Sequence, residues 1–463
     1  MARTFDAIVI GTGQAGPALA AALAAAGQRV AIVERGAFGG TCVNNGCTPT
    51  KAMVASAHAA HMARRAGEYG VEVGGEVRVD MRRVKARKDA IVAHSSGGVE
   101  KWLRGTSNLT VVQGHARFTG AHAIEAGGEA LEAPQVFIDV GGRSARPTAE
   151  QAHGAPYLTS ETVMDADTLP AHLAVVGGSY VGLEFAQMFR RFGARVTVVE
   201  MGPRLIGRED EDISQAVREI LEGEGIAVRP DAKCIGLEPH AEGVSVSVDC
   251  RDGEPKVLAS HVLWAAGRVP NTDDLGLDAA GIETDKRGYI RVGDDLQTSV
   301  AGVYALGDCN GRGAFTHTAW NDYEIVRDNL LHGASRRVTD RIPIYALYTD
   351  PPLGRIGASL AEAKRSGAPL LCATYPMKRV SRAVERGETL GFMKAVVDAD
   401  TRRLLGAAIL GASGDEVVQT LVEAMYAGLT VDDIMRGVRI HPTVAELVPT
   451  LLGELAPVAA GSD

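Results

Sequence analysis

The sequence predicts an α/β chain in which two doubly wound dinucleotide-binding units are followed by a C-terminal α+β domain. Three observations carry that prediction. A strand, a glycine-rich turn, a helix and a second strand ending in an acid occur twice, first from residue 7 to 34 and again from residue 173 to 200. A Cys-x-x-x-x-Cys pair, Cys42 and Cys47, stands close behind the first copy. Beyond Ile342 the alternation of helix and strand gives way to strand-like runs flanked by short amphipathic helices.

The first copy begins with the apolar strand Ala7–Ile10. It turns through Gly11-Thr12-Gly13-Gln14-Ala15-Gly16 and continues as an Ala/Leu helix, Pro17 to Ala26, with its proline tolerated in the first turn. The strand from Arg29 to Val33 ends at Glu34, 23 residues after Gly11. Gly11, Gly13 and Gly16 permit the turn and let a pyrophosphate come close. The helix start offers free N–H groups to it, and Glu34 suits a ribose 2′-hydroxyl. A lone G-x-G-x-x-G is weak, but this one has its strand, helix and acid in place.

Next comes Gly39-Gly40-Thr41-Cys42-Val43-Asn44-Asn45-Gly46-Cys47-Thr48-Pro49-Thr50-Lys51. Four residues separate the cysteines, short enough for a small disulfide ring. The helix formers behind Pro49 place a thiolate near a positive helix end and Lys51, which depresses its pKa. Two buried structural cysteines are the bland alternative, disfavoured by the glycine-rich polar surroundings. A zinc half-site fails on spacing and on the lack of a second Cys or His pair nearby, so no metal site is expected. The region to about residue 110 reads as helical. Its basic stretch Arg82–Lys88 reads as a solvated helix face. Short strands and glycine turns follow from 110 to 148.

The second copy has the strand Leu173–Val176 and the turn Gly177-Gly178-Ser179-Tyr180-Val181-Gly182, with Ser179 where the middle glycine stood. A helix from Leu183 to Phe192 leads to the strand Val196–Val199 and then Glu200, again 23 residues after the first glycine. Two such Rossmann-like units imply two dinucleotides, because a repeat is far more specific than either copy. Glu200 accepts from the 2′-hydroxyl of NAD and repels the 2′-phosphate of NADP, which favours NADH; Arg204 nearby softens that preference. Further on, Trp264–Asn271 contains Gly267, and the apolar strand before Gly307-Asp308 leaves Asp308 either to hold a sugar hydroxyl or to cap a helix. In the C-terminal region, strands are expected at 367–375, 390–398 and 404–410, with helices at 359–366, 415–427 and 431–437. His441 and Glu446, five apart across a proline, suit an imidazole oriented by a carboxylate, although surface or capping roles are commoner for such pairs.

At 463 residues there is room for about three domains. A net charge of −9 disfavours nucleic acid and anionic membrane as partners, and no apolar run reaches the ~18 residues of a membrane span. The chain enters its first strand almost at once, leaving no room for a signal peptide. Six cysteines in a chain this long are not a disulfide framework, so a reducing cytoplasm is expected. Cys234, Cys250 and Cys372 have no spacing logic and read as core residues, and packing is also the better reading for Cys309.

The cysteine pair, the two nucleotide folds, Gly307-Asp308 and His441-Pro-Thr-x-x-Glu446 together resemble the class I pyridine nucleotide–disulfide oxidoreductases, from residue 5 to about 455. Dihydrolipoamide dehydrogenase, glutathione reductase and mercuric reductase belong to that family. The resemblance implies an FAD-binding domain over 1–148 and 272–341, an NAD(P)-binding domain over 149–271 and a dimerisation domain over 342–463. FAD would lie on the first fold with Thr41, Lys51 and Asp308, and Lys51 would pair with Glu184 near flavin N5. NAD(P)H would lie on Gly177, Ser179, Gly182, Glu200 and Gly267, with Tyr180 covering the flavin face until nicotinamide arrives. Cys47 would be the thiol beside the flavin and Cys42 the interchange thiol. His441, oriented by Glu446, would serve Cys42 of the partner subunit in a homodimer. Electrons would run from NADH through FAD to the disulfide and on to a small disulfide, an oxidant or a metal ion.

The tail after Glu446 has no cysteine, unlike the vicinal pair with which mercuric reductases capture Hg(II), and Thr50 stands where serine is usual. Gly46–Lys51, Phe315-Thr316-His317-Thr318 with Asn321-Asp322-Tyr323, and Tyr375–Val380 look more like the mercuric-reductase-like branch that includes the reactive-chlorine-resistance flavoproteins. Thr316 and His317 are expected by the flavin pyrimidine edge, with a plain helix start as the alternative.

Overall fold

In the computed structural model, which describes residues 2–248 and 255–458, a five-stranded parallel sheet holds the first nucleotide fold. Its order is Val303–Ala305, Gln135–Ile138, Ala7–Ile10, Val30–Glu34 and Leu109–Gln113. All four residues of Ala7–Ile10 are buried, as both faces of a parallel sheet require. The helix Gly16–Ala25 packs Leu19 and Leu23 against one face, with Phe137 and Tyr304 in the same cluster. The strands that complete this sheet come from distant parts of the chain.

The second nucleotide fold is a four-stranded parallel sheet ordered Ala227–Arg229, Arg195–Val199, His172–Val176 and His261–Trp264. Its helix, Tyr180–Phe192, buries Leu183, Phe185, Phe189 and Phe192 and ends at Gly193 in the left-handed conformation that a helix terminus favours. The C-terminal part is a six-stranded antiparallel sheet, Ile344–Leu347, Leu353–Gly357, Leu404–Leu410, Phe392–Asp398, Leu370–Pro376 and Ala456–Pro457, with its own apolar core. Among the described residues no helix is long and apolar enough to cross a membrane.

Several expectations need correction. The helix anticipated over 415–427 is three pieces: Gly414–Val417, a 3-10 turn Val418–Leu421 and Val422–Tyr426. The β-branched Val417, Val418 and Thr420 crowd one turn there, which weakens regular α-helix. The basic stretch lies on the helix Met81–Gly105, but Lys88 is buried rather than solvated. Its ammonium is paired with Asp89 at 2.6 Å and Asp165 at 3.4 Å, which makes the burial tolerable. Cys234 is exposed, in the loop before Gly236–His240, and is not a core residue. Cys372 is half-buried, Cys309 is fully buried, and Cys250 lies outside the described residues.

Candidate active site

The two cysteines sit on two consecutive helices. Cys42 belongs to the short helix Gly40–Asn44, and Cys47 is the first residue of Cys47–Arg65. That helix therefore starts two residues earlier than Pro49. Gly46 separates the two; a Cβ on it would fall 2.7 Å from the Thr41 carbonyl oxygen, so a side chain there would push the helices apart. Both cysteines are free thiols. Thr316, first residue of the helix Thr316–His332, places its hydroxyl 3.2 Å from Cys47 Sγ and 3.2 Å from Cys42 Sγ.

The two thiols are unlike. A hydrogen bond from Cys42 lowers the Cys47 pKa to about 6, helped by Thr316 and the Lys51 charge. Its place at a helix start acts in the same direction. Cys42 is pushed up, by sharing its proton with Cys47 and by burial. The dithiol thus holds one proton between two sulfurs, with the negative charge on Cys47. Lys51 Nζ bonds Glu184 Oε2 at 2.6 Å and lies 4.3 Å from the centre of the Tyr348 ring. The other Glu184 oxygen accepts from the Tyr348 backbone N–H at 3.0 Å, so three distant segments fix the ammonium beside the thiols.

These groups line one cavity of about 760 Å³ that runs from Glu34 and Gly13, past the thiols, to Tyr180 and Tyr348. At its far end Glu34 accepts from Thr12 N–H at 2.9 Å and Gly36 N–H at 2.7 Å. Thr41, Asp308, Thr316 and His317 also line it. Asp308 does not cap a helix with its side chain; it faces Arg268 at 3.7 Å, and burial raises its pKa. His317 Nε2 donates to the Ile344 carbonyl oxygen at 2.6 Å and its ring stacks on Phe315, and burial lowers its pKa. The long cavity, the glycine cradle and the buried Asn45 Oδ1, which has no hydrogen-bond partner among the described residues, fit an extended dinucleotide with polar edges.

Of the second turn only Tyr180 and Val181 line this cavity, while Gly177, Ser179 and Gly182, with Glu200 and Gly267, lie outside its lining. Glu200 accepts from Gly178 and Gly202 N–H, both at 2.6 Å. Gly267 has φ +124 and open space where a Cβ would be. His441 and Glu446 lie outside the cavity lining. His441 Nδ1 is 3.0 Å from Glu446 Oε1, its ring largely exposed, with Val438 and Ile440 bare beside it in sequence. Sequence reasoning missed Asp139 and Tyr348, which line the cavity, and Glu209, whose Oε1 accepts from the Tyr180 hydroxyl at 3.3 Å. An acid closing an apolar strand, as in Val136-Phe137-Ile138-Asp139, was the one signal for Asp139; a lone Glu209 or Tyr348 carries none.

Fold and site define a redox protein with paired thiols between two dinucleotide folds. The chain belongs to the pyridine nucleotide-disulphide oxidoreductases. That family's model matches residues 5–322, and its dimerisation domain matches residues 344–452. The family is FAD-dependent and uses NAD(P)H. The chain is 33% identical to a dihydrolipoyl dehydrogenase of Thermus scotoductus, with 96% of each covered, and 33% identical to a mercuric reductase of Streptomyces lividans, over 96% of this chain and 94% of that one. It is 32% identical to the probable pyridine nucleotide-disulfide oxidoreductase RclA of Escherichia coli, over 96% and 97%. The solved Cu(II) complex of that HOCl-induced flavoprotein disulfide reductase superposes with a TM-score of 0.89 at 31% identity, over 97% and 99% of the two chains.

Proposed function

We propose that this chain is an NADH-dependent FAD disulfide oxidoreductase that reduces a small disulfide or thiol-reactive oxidant through the Cys42–Cys47 couple. The observation that carries the reading is the Thr316 hydroxyl, 3.2 Å from each sulfur, in a cavity that reaches back to the first glycine turn. Gly11, Gly13, Gly16, Glu34, Thr41, Lys51 and Asp308 would hold FAD, which when bound takes hydride from the nicotinamide and passes two electrons to the disulfide. Gly177, Ser179, Gly182, Glu200 and Gly267 would hold NADH, and Tyr180 would cover its nicotinamide site. Segments 1–148 and 272–341 would form the FAD domain, 149–271 the nicotinamide domain and 342–463 the interface domain, in a cytoplasmic homodimer.

Cys47, already acidic, would face the flavin. Cys42 would attack the substrate disulfide and release one thiol. Cys47 would then attack Cys42 of the mixed disulfide, releasing the second thiol and closing the ring. The raised pKa of Cys42 means that it needs a base. His441 would take that proton and return it to the leaving thiolate, with Glu446 fixing the ring. The bare Val438 and Ile440 beside His441 support a partner subunit at this edge, which would bring His441 to the partner's dithiol.

Cys42→Ser should leave a yellow protein with a long-wavelength thiolate–flavin absorption band at neutral pH. A variant without that band would remove Cys47 from its place beside the flavin. His441→Ala should slow disulfide turnover about 10²–10⁴-fold. A second reading, reduction of Cu(II) or Hg(II) by the same dithiol, is favoured by the likeness to the RclA Cu(II) complex and the mercuric reductase. A dihydrolipoamide dehydrogenase subunit of a multienzyme complex would be signalled by co-purifying acyltransferases. Turnover with lipoamide, glutathione disulfide, Cu(II), Hg(II), quinone and oxygen, each with NADH and NADPH, separates them.

A further inference from the structure

Behind Tyr180 lies a buried polar cluster that the reaction above does not use. Glu209 is 1% exposed and Arg355 is equally buried. Arg355 Nε donates to Glu209 Oε2 at 3.0 Å, and Nη2 donates to the same oxygen. The other oxygen, Oε1, accepts from two phenols: Tyr345 at 2.6 Å and Tyr180 at 3.3 Å. Both phenols are held well above their ordinary pKa by burial, so both are O–H donors. Tyr345 comes from the first strand of the C-terminal sheet, Tyr180 from the start of the nucleotide-fold helix. Their rings meet edge to face, with centroids 5.5 Å apart.

We propose that Glu209 and Tyr345 form a latch that sets how readily Tyr180 leaves the nicotinamide's place. This rests on Tyr180 being the side chain that covers that place. Tyr180 must turn away for nicotinamide to stack, and turning breaks its bond to Oε1. Tyr345 makes the short, charge-assisted bond to that oxygen and leaves Tyr180 a stretched one. The carboxylate therefore loses little when Tyr180 departs, because Tyr345 and Arg355 still satisfy it. Without the Tyr345 hydroxyl, Oε1 would depend on Tyr180, whose bond would shorten and hold the gate closed. Observed nucleotide affinity falls in proportion to the open fraction.

The test is the dissociation constant of NAD⁺ for the FAD-loaded protein by titration calorimetry, with flavin content and thermal unfolding confirming that each variant is folded. Tyr180→Phe removes the stretched bond and should tighten NAD⁺ by about twofold at most, the low end of one net hydrogen bond. Tyr345→Phe should weaken it about three- to tenfold, the size of a full net hydrogen bond, and the double variant should match Tyr180→Phe alone. Weakening in both single variants, or no change in Tyr345→Phe, overturns the latch. If Tyr180→Ala tightens NAD⁺ while Tyr345→Phe does nothing, only the latch fails. If Tyr180→Ala leaves the constant unchanged, the covering role of Tyr180 fails and the latch goes with it.

Discussion

The two glycine turns share a backbone and differ in the side chain beneath them. Gly11 has φ +103 and Gly177 φ +116, and a Cβ on either would fall 2.2 Å from the Asp139 carbonyl oxygen or 2.5 Å from that of Ala265. The closing glycines match as well: a Cβ on Gly16 would meet Gly11 O at 2.4 Å, and one on Gly182 would meet Gly177 O at 2.0 Å. Even the acids are held alike, Glu34 by Thr12 and Gly36, Glu200 by Gly178 and Gly202. The difference is Asp139 against Ala265. The Asp139 carboxyl accepts from Gly16 N–H at 2.7 Å, and a Cβ on Gly13 would come 2.8 Å from its Oδ2. Ser179 sits exposed in extended conformation at the helix start, and Ala265 has no carboxyl to place there. The middle residue of each turn is thus decided by what lies below it, not by the turn's backbone.

The strongest way to break the likeness is to fill the closing positions. Gly16→Ala and Gly182→Ala each force a Cβ onto backbone, a strain of about 1–3 kcal/mol. Gly16→Ala should cost FAD affinity about 5- to 150-fold, measured by flavin fluorescence, and Gly182→Ala should cost NADH affinity to the same extent while the protein stays yellow. Equal loss of both cofactors in either variant would show that the folds do not act separately.

Asp139 sharpens the contrast next. Burial raises its pKa well above the usual carboxylate range, with Asp308 and Asp322 adding to the rise. The folded state therefore keeps this proton after the unfolded chain has lost it. Its contribution is full below the unfolded value near 3.8 and is lost as pH rises towards the folded value, at up to about 1.4 kcal/mol per pH unit. Asp139→Asn should remove that slope. Thermal unfolding from pH 5 to 8 should show the variant gaining on the wild type as pH rises; parallel curves would show that Asp139 is ionised in the fold.

Two smaller effects concern the middle residues. Gly13→Ser should lower FAD affinity by about fivefold, the low end of overpacking, and Asp139→Ala in the same chain should restore part of it. Ser179 makes no side-chain capping bond, so Ser179→Gly should change stability by only a few tenths of a kcal/mol. A loss of 1 kcal/mol or more in urea unfolding would show that the serine does more than fit.

The sequence by itself determined the two nucleotide units and the cysteine pair, because each is written within a few dozen residues and obeys backbone periodicity or helix-start chemistry; the pairing of His441 with Glu446 followed from the family resemblance. The strand that ends at Glu34 and the one that ends at Val199, just before Glu200, lie where their patterns put them. Lys51 with Glu184 followed only from the family resemblance, since 133 residues separate them and neither marks the other. Tertiary structure alone decided that Thr316 stands at both sulfurs, that Asp139 tucks beneath Gly16 and that Tyr345 reaches Glu209. Those contacts join residues 123 to 274 positions apart. A local pattern states which face of an element is apolar, but which polar side chain meets which is fixed only when separate sheets pack and each buried donor must find an acceptor.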